Sequence, residues 1–275
     1  MKTNQIYCGD CLEIIKDMPS ESIDLIYLDP PFFSDRDYET TFKGNGETKN
    51  FKDKWDGIEH YLTFMTERIK EFHRILKSTG SIYLHCDWHA SHYLKMELDR
   101  IFGYKNFRNE IIWHYRTGGV SKKWFSRKHD IIFFYSKSNK YYFNPIEIKE
   151  YYKDIYGIPD FKPGWEDRKG GKDEKGFFRH TFLPDVWAIP SVFNMSSESL
   201  GYPTQKPEVL LDRIINVSSK EGDIVLDPFC GSGTSVAVAE KLKRQWIAIE
   251  ISLTACEIIK NRIKNSILPD KPKEN

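Results

Sequence analysis

The 275-residue sequence is poor in several things, and each lack excludes a class of protein. Cysteine is scarce: five residues, an odd number, exclude a disulfide-stapled scaffold. Long apolar runs are missing. Stretches such as Ile131 to Tyr135 fall far short of the roughly 20 residues a membrane-spanning helix needs. The opening MKTNQIYCGD has no apolar core like that of a secretion signal, so a cytoplasmic, reducing location is expected. A charge excess is missing too: 41 Lys and Arg against 40 Asp and Glu leave +1, which by itself argues against a nucleic-acid partner. Disorder is excluded from the other side, by 40% hydrophobic and 15% aromatic residues. The length suits one large domain, or one domain with an insert.

The balanced charge hides a local bias. Between Lys105 and Lys140 stand nine Lys and Arg against two acids, Glu110 and Asp130. Aromatics crowd the same region and the one after it, from Trp113, Tyr115, Trp124 and Phe125 to Tyr151, Tyr152, Tyr156, Phe161 and Trp165. Taken alone, the pattern reads first as a solvated basic face beside a buried strand, with a phosphate-tracking surface as the alternative.

Patterning predicts strand, helix, strand over the first thirty residues, with Ile23 to Leu28 ending at Asp29-Pro30-Pro31. Residues 33 to 57 read as a long polar surface loop. An amphipathic helix over Tyr61 to Lys77, stopped by Gly80, precedes a strand at Ser81 to His85. Further along come a helix over His89 to Phe102 and strands at Glu110 to Tyr115 and Asp130 to Tyr135. From Lys140 to about Ser199 prolines and glycines break every period, so this segment reads as an irregular insert. Helices at 208 to 218, 235 to 243 and 254 to 265 then alternate with strands at 223 to 227 and 245 to 250. Strand and helix alternate at both ends, which implies a mostly parallel α/β sheet.

Two motifs carry chemistry. Asp227-Pro228-Phe229-Cys230-Gly231-Ser232-Gly233-Thr234 sits between an apolar strand and a small-residue helix, where glycines permit a sharp turn and close approach of a ligand. Glu250 ends the next strand, 23 positions after Asp227, where a carboxylate would hold a ribose diol. The third glycine of a dinucleotide site would fall at Val236, so a monoadenosyl ligand with a positively charged tail fits better, drawn by Asp227. The second motif, Asp29-Pro30-Pro31-Phe32, follows a strand directly. Its prolines bias the backbone to extended geometry and leave the Pro30 carbonyl outside any helix ladder. That carbonyl and the Asp29 carboxylate are two acceptors, a match for the two N–H donors of an exocyclic amino group. Phe32 could stack on the ring that carries it.

These motifs, in this order, resemble those of the amino-group DNA methyltransferases that use S-adenosylmethionine. DPPF is similar to their catalytic motif and DPFCGSGT to their cofactor motif. Tyr202-Pro203-Thr204-Gln205-Lys206-Pro207 and Cys8-Gly9-Asp10-Cys11 resemble segments found beside them. Catalytic before cofactor motif is the permuted order called the beta class. The resemblance implies a Rossmann-like doubly wound α/β sheet with an inserted target-recognition region. On that division residues 1–140 form the catalytic part, 141–199 the recognition region, 200–265 the cofactor part and 266–275 a polar tail.

The resemblance also implies roles. Asp29 and the Pro30 carbonyl hold the target amino group, with Pro31 between them and Phe32, which replaces the more usual Tyr and stacks on the flipped base. Asp227, Phe229, Gly231, Gly233 and Thr234 shape the methionine end of the cofactor pocket, and Glu250 takes the ribose. Asp10 and the Cys11 backbone contact the adenine; Thr204 and Lys206 lie near the methionine carboxylate, although Lys206 could equally meet phosphate. An Asp at the first catalytic position tends toward adenine N6 in this family and Ser toward cytosine N4. Within this frame Arg116, Lys122, Lys123, Arg127 and Lys128 become contacts to a double-stranded DNA backbone. A monomer or homodimer, with or without a companion restriction endonuclease, is compatible with it. No metal is expected, because Cys8, Cys11, His85, His89 and His92 match no common ligand spacing.

Overall fold

The computed structural model describes residues 1–41, 48–116, 120–152, 154, 170–193, 196, 198–202 and 204–267. The chain forms two compact units, one of Met1–Phe143 with Val186–Asn275 and one of Asn144–Asp185.

In the larger unit short β-branched and aromatic runs form the strands of one sheet. They are β1 (Gln5–Cys8), β2 (Ile23–Leu28), β5 (Leu76–Cys86), β6 (Phe107–His114), β7 (His129–Ser136), β11 (Val186–Ala188), β12 (Ile224–Asp227) and β13 (Gln245–Glu250). Their order is β1-β13-β12-β2-β5-β7-β6-β11. Every neighbouring pair is parallel except the two made by β7, so β7 alone runs backwards.

Alternation along the strands sends Ile26 and Leu28, Ile82 and Leu84, Ile247 and Ile249 into one core. The buried stripes of α1 (Cys11–Lys16), α2 (Ile58–Ile75) and α3 (Ser91–Phe102) close that face. The alternate residues face α4 (Glu208–Ser218), α5 (Thr234–Lys241) and α6 (Leu253–Ile267). The buried Tyr83 hydroxyl, for instance, meets Ser218 Oγ of α4 at 2.7 Å. Helices on both faces make the sheet doubly wound. Such a sheet binds ligands at the carboxyl ends of its parallel strands. There Asp29, Asp227 and Glu250 stand on or directly after β2, β12 and β13.

Four details depart from the pattern reading. The loop expected over 33 to 57 contains a hairpin, β3 (Arg36–Thr41) paired antiparallel with β4 (Thr48–Asp53). Neither strand has an alternating apolar face in sequence, so the period had nothing to register. Next, α2 ends at Ile75 and β5 starts at Leu76 without a glycine stop. Gly80 lies inside β5, where a Cβ would fall 2.7 Å from Leu76 Cδ1 and 2.8 Å from the Asp24 carbonyl. It permits a close backbone approach rather than capping a helix.

The smaller unit carries its own antiparallel sheet, order β8-β10-β9, from β8 (Glu147–Tyr151), β9 (Gly170–Asp173) and β10 (Gly176–Phe182). It is narrower than the 141–199 segment, since β11 already belongs to the large sheet. Finally, Cys8 is joined to Cys256, tying β1 to α6, while Cys11, Cys86 and Cys230 are free and buried. The aromatics Tyr156, Phe161 and Trp165 and the tail beyond 267 lie outside the described residues. Among the described residues no helix is long and apolar enough to cross a membrane.

Candidate active site

A cavity of about 500 Å³ opens at the carboxyl ends of β2, β12 and β13, and both sequence motifs line it. On the β12–β13 side local turn geometry builds the wall. Asp227 is buried and accepts from the Phe229 N–H at 3.0 Å and from the Ser235 hydroxyl. Burial pushes its carboxyl up to about 7, against those two hydrogen bonds. Glu250 accepts from the Gly231 N–H at 2.8 Å and the Ser252 N–H at 2.9 Å, and burial pushes it up as well. Gly231, at φ +54°, turns beneath the Tyr202 ring. At Gly233, φ +80°, a Cβ would come within 3.0 Å of Ile259. Thr234 opens α5, its hydroxyl held by Arg262 at 2.9 Å.

The β2 side is held from a distance. Asp29 Oδ2 accepts from the buried Lys206 ammonium at 2.6 Å, and that ammonium also lies 5.2 Å from the centre of the Phe32 ring. Asp29 Oδ1 has no hydrogen-bond partner among the described residues; His85 Nδ1 stands 3.8 Å away. The next residues are clasped by Asp53, at the end of β4. Its buried carboxylate accepts from the backbone N–H groups of Phe32, Phe33 and Ser34 at 3.2, 3.0 and 2.8 Å. It also takes the Ser34 hydroxyl at 2.7 Å and the Trp55 indole N–H at 2.9 Å. Phe33 sits at φ +62°, a left-handed backbone that bulky residues avoid, and the Asp53 clasp holds it there. The Tyr61 hydroxyl donates to the Pro31 carbonyl at 2.7 Å.

Behind Asp29 a row of polar groups crosses β2, β5 and β7 to Tyr115, directly after β6. His85, fully buried in β5, bonds the Tyr27 hydroxyl at 2.9 Å through Nδ1 and Asp130 at 3.3 Å through Nε2. Asp130 also accepts from the Tyr115 hydroxyl at 2.9 Å. Burial raises the Asp130 carboxyl, but His85, Lys206 and Tyr115 outweigh it and the net shift is downward. The Phe32 ring tilts against His85 at 5.5 Å.

Near β1, Asp10 caps α1 through the Leu12 N–H at 2.7 Å and pairs with Arg68 at 2.6 and 2.8 Å. Arg68 is buried over the Phe64 ring at 3.4 Å. Cys11, Thr204 and Phe229 also line the cavity, and burial pushes the Cys11 thiol up to about 11.

The cavity thus gathers Asp10, Cys11, Asp29 to Phe32, Thr204, Lys206, Asp227, Phe229, Gly231, Thr234 and Glu250 from both ends of the chain. The Lys206 ammonium, expected near the methionine carboxylate or a phosphate, bonds Asp29 Oδ2 within the cavity. Reading the sequence missed Asp53, Arg68 and His85. Asp53 and Arg68 lie in polar or amphipathic stretches with no motif, and His85 stands in a His-rich stretch whose spacing fits no common ligand set. Outside the cavity Arg116, Lys122, Lys123 and Arg127 are exposed and Lys128 is half-buried. The intervening 117–119 lie outside the described residues. Among the described residues no group of three or more His, Cys, Asp or Glu could hold a metal ion.

The donor set suits a cation with a diol. Five carboxylates (Asp10, Asp29, Asp53, Asp227 and Glu250) line the cavity against two cations, Arg68 and Lys206. Comparison with known proteins agrees in kind. A family model described as DNA methylase, of the N6/N4 type, matches residues 23–261. The Type II methyltransferase M.HpaI of Haemophilus parainfluenzae is 32% identical over 263 residues, 94% of this chain and 74% of its own. The DNA adenine methyltransferase YhdJ of Escherichia coli K12 is 33% identical over 249 residues, 89% of this chain and 77% of its own. The fold is similar to that of M1.HpyAVI, solved as a complex with SAM, at a TM-score of 0.60 and 22% identity. That match covers 94% of this chain and 98% of the other.

Proposed function

The chain belongs to the N6/N4 DNA methylase family, and from that premise we propose that it transfers a methyl group from S-adenosylmethionine to adenine N6 in double-stranded DNA. The observation that carries this reading is the meeting of Asp29 with Asp227 and Glu250 in one cavity. It brings an amino-group acceptor beside a wall suited to a cationic nucleoside.

Glu250 would take the ribose hydroxyls, and Asp227 would face the cationic end. Gly231 lines the cavity, where a Cβ would stand against the Tyr202 ring, and Gly233 lets the turn pack closely on Ile259. Arg68 holds Asp10 toward the adenine end, beside the Cys11 backbone. Bound S-adenosylmethionine supplies an electrophilic methyl group on a sulfonium. Asp29 and the Pro30 carbonyl grip the amino hydrogens of the extruded base. This draws the nitrogen lone pair out of conjugation with the ring and toward the methyl group. Lys206 holds Oδ2, while Oδ1 is buried beside His85 without a hydrogen-bond partner among the described residues. We therefore read Lys206 as the counter-ion of Asp29 rather than a ligand of the methionine carboxylate. The proton is shed after the transfer, when the nitrogen is cationic and a nearby carboxylate or water suffices. Cys230 is buried in the cofactor turn and needs no nucleophilic role.

The 144–185 unit is assigned to sequence recognition, and Arg116, Lys122, Lys123, Arg127 and Lys128 to the duplex backbone. A companion endonuclease fits the Type II designation of the HpaI relative, and both monomer and homodimer fit the reading.

Nucleoside mass spectrometry of mixed-sequence unmethylated DNA, incubated with protein and S-adenosylmethionine, tests the proposal. N6-methyladenine is expected. N4-methylcytosine would keep the mechanism and reassign the base. No methylated base, with cofactor binding intact, would overturn the reading.

A further inference from the structure

The segment between β6 and β7 holds groups that the chemistry above does not use. From Arg116 to His129 it contains five Lys and Arg and no acid. At its centre Phe125 is 99% exposed, with Trp124 beside it at 59%. Residues 120–128 are held by contacts of their own. The Ser121 hydroxyl oxygen accepts from the N–H groups of Lys123 and Trp124 at 3.1 and 3.3 Å. The Tyr115 N–H donates to the Lys128 carbonyl at 2.9 Å and closes the base. The Arg127 guanidinium lies 3.7 Å over the Trp88 ring, from the turn after β5, and 5.7 Å from Trp124. A braced turn therefore presents one bare phenyl ring among cations.

Its position in the fold matters. β6 runs parallel to β5 and β2, so its carboxyl end lies on the same edge of the sheet as Asp29. With β5 alone between β2 and β7, and neighbouring strands about 4.8 Å apart, the arm springs from about 10–15 Å beside Asp29. Extruding a base leaves a gap in the stack that an apolar side chain can fill, and nearby cations anchor the phosphates.

We infer that the 120–128 arm is a wedge, with Phe125 inserting into the duplex at the space vacated by the extruded base while Lys122, Lys123 and Arg127 hold the flanking phosphates. Trp88 acts by bracing Arg127. The inference rests on the proposed DNA reaction and adds the residue that drives extrusion.

The test uses the full-length chain and a duplex containing its methylation site, mapped first by sequencing DNA modified by the wild type. A 2-aminopurine at the target position reports extrusion by fluorescence. Phe125→Ala should lower the signal and cut kcat/KM by about tenfold or more, with cofactor affinity unchanged. Phe125→Trp should retain activity. A duplex with an abasic site opposite the target is already open, and on it the alanine variant should regain most of the wild-type rate. Wild-type extrusion by Phe125→Ala would overturn the wedge, as would a defect the abasic duplex does not relieve. Failure of the wild type to methylate any DNA would instead overturn the reaction beneath it, and the wedge with it.

Discussion

The two walls of the cavity are built in opposite ways. On the β12–β13 side three of the four supports lie within eight positions of the carboxylate they hold. Asp227 is held by residues two and eight positions away, and Glu250 by residues two and nineteen away. Most of the donors are backbone N–H groups presented by a turn. On the β2 side the supports are distant side chains. Lys206 reaches Asp29 across 177 residues, Asp53 reaches the Phe32 to Ser34 backbone across about twenty, and His85 stands on a neighbouring strand. A turn that carries its own donors forms wherever its strand and helix form. A carboxylate whose counter-ion and braces come from three other elements is placed only when the whole sheet is assembled. The first wall is therefore expected to tolerate local change, and the second to couple chemistry to folding.

The comparison breaks most sharply at Asp29. Asp29→Ala should cost on the order of 10³-fold in methyl transfer while cofactor affinity, measured calorimetrically, stays nearly unchanged. A parallel fall in cofactor affinity would show that the two walls are not separable. Asp53→Asn comes next. It leaves the cofactor wall alone but weakens the clasp on Phe32, Phe33 and Ser34. Expected losses are about 100-fold in kcat, from misplacement of the base pocket, and roughly 2 kcal/mol of stability. Thermal unfolding and steady-state kinetics on one preparation check both. An unchanged kcat would remove Asp53 from the positioning of the motif.

The smallest effect sharpens the other wall. The Asp227 carboxyl sits at about 7 in the fold and about 3.9 in the unfolded chain. Between those values the folded chain keeps a proton the unfolded chain has lost, so the stability of the cofactor-free protein falls as pH rises from about 4 to about 7. Affinity for the cationic cofactor runs the other way, rising as Asp227 ionises near pH 7. Asp227→Asn should flatten both trends, leaving what Glu250 contributes, and weaken cofactor binding about tenfold. Melting temperatures and dissociation constants between pH 5 and 8 read both. Identical pH trends in variant and parent would remove Asp227 from the cationic end.

The asymmetry of the walls explains what could be read without a structure. Strands β2, β12 and β13 were legible because buried parallel strands are continuous apolar runs. The turns after them were legible because Gly231 and Gly233 permit backbone that other residues resist. The β3–β4 hairpin was not, since polar strands without alternation look like a loop. Neither was the start of β5 at Leu76, where a helix passes straight into a strand without a glycine stop.

By itself the sequence determined the permuted order of the motifs, the parallel frame that puts Asp29, Asp227 and Glu250 on one edge, and the carboxylates suited to a cationic nucleoside. All of these follow from local propensity and from chain order. Only the tertiary structure decided that Lys206 bonds Asp29, that Asp53 clamps the Phe32 to Ser34 backbone, that Arg68 holds Asp10, and that a row from Tyr27 to Tyr115 lies behind Asp29. Each of these is a pairing between charged or polar groups far apart along the chain. Such pairings leave no periodic trace, because what selects the partner is proximity in the assembled sheet and the cost of leaving a buried charge alone.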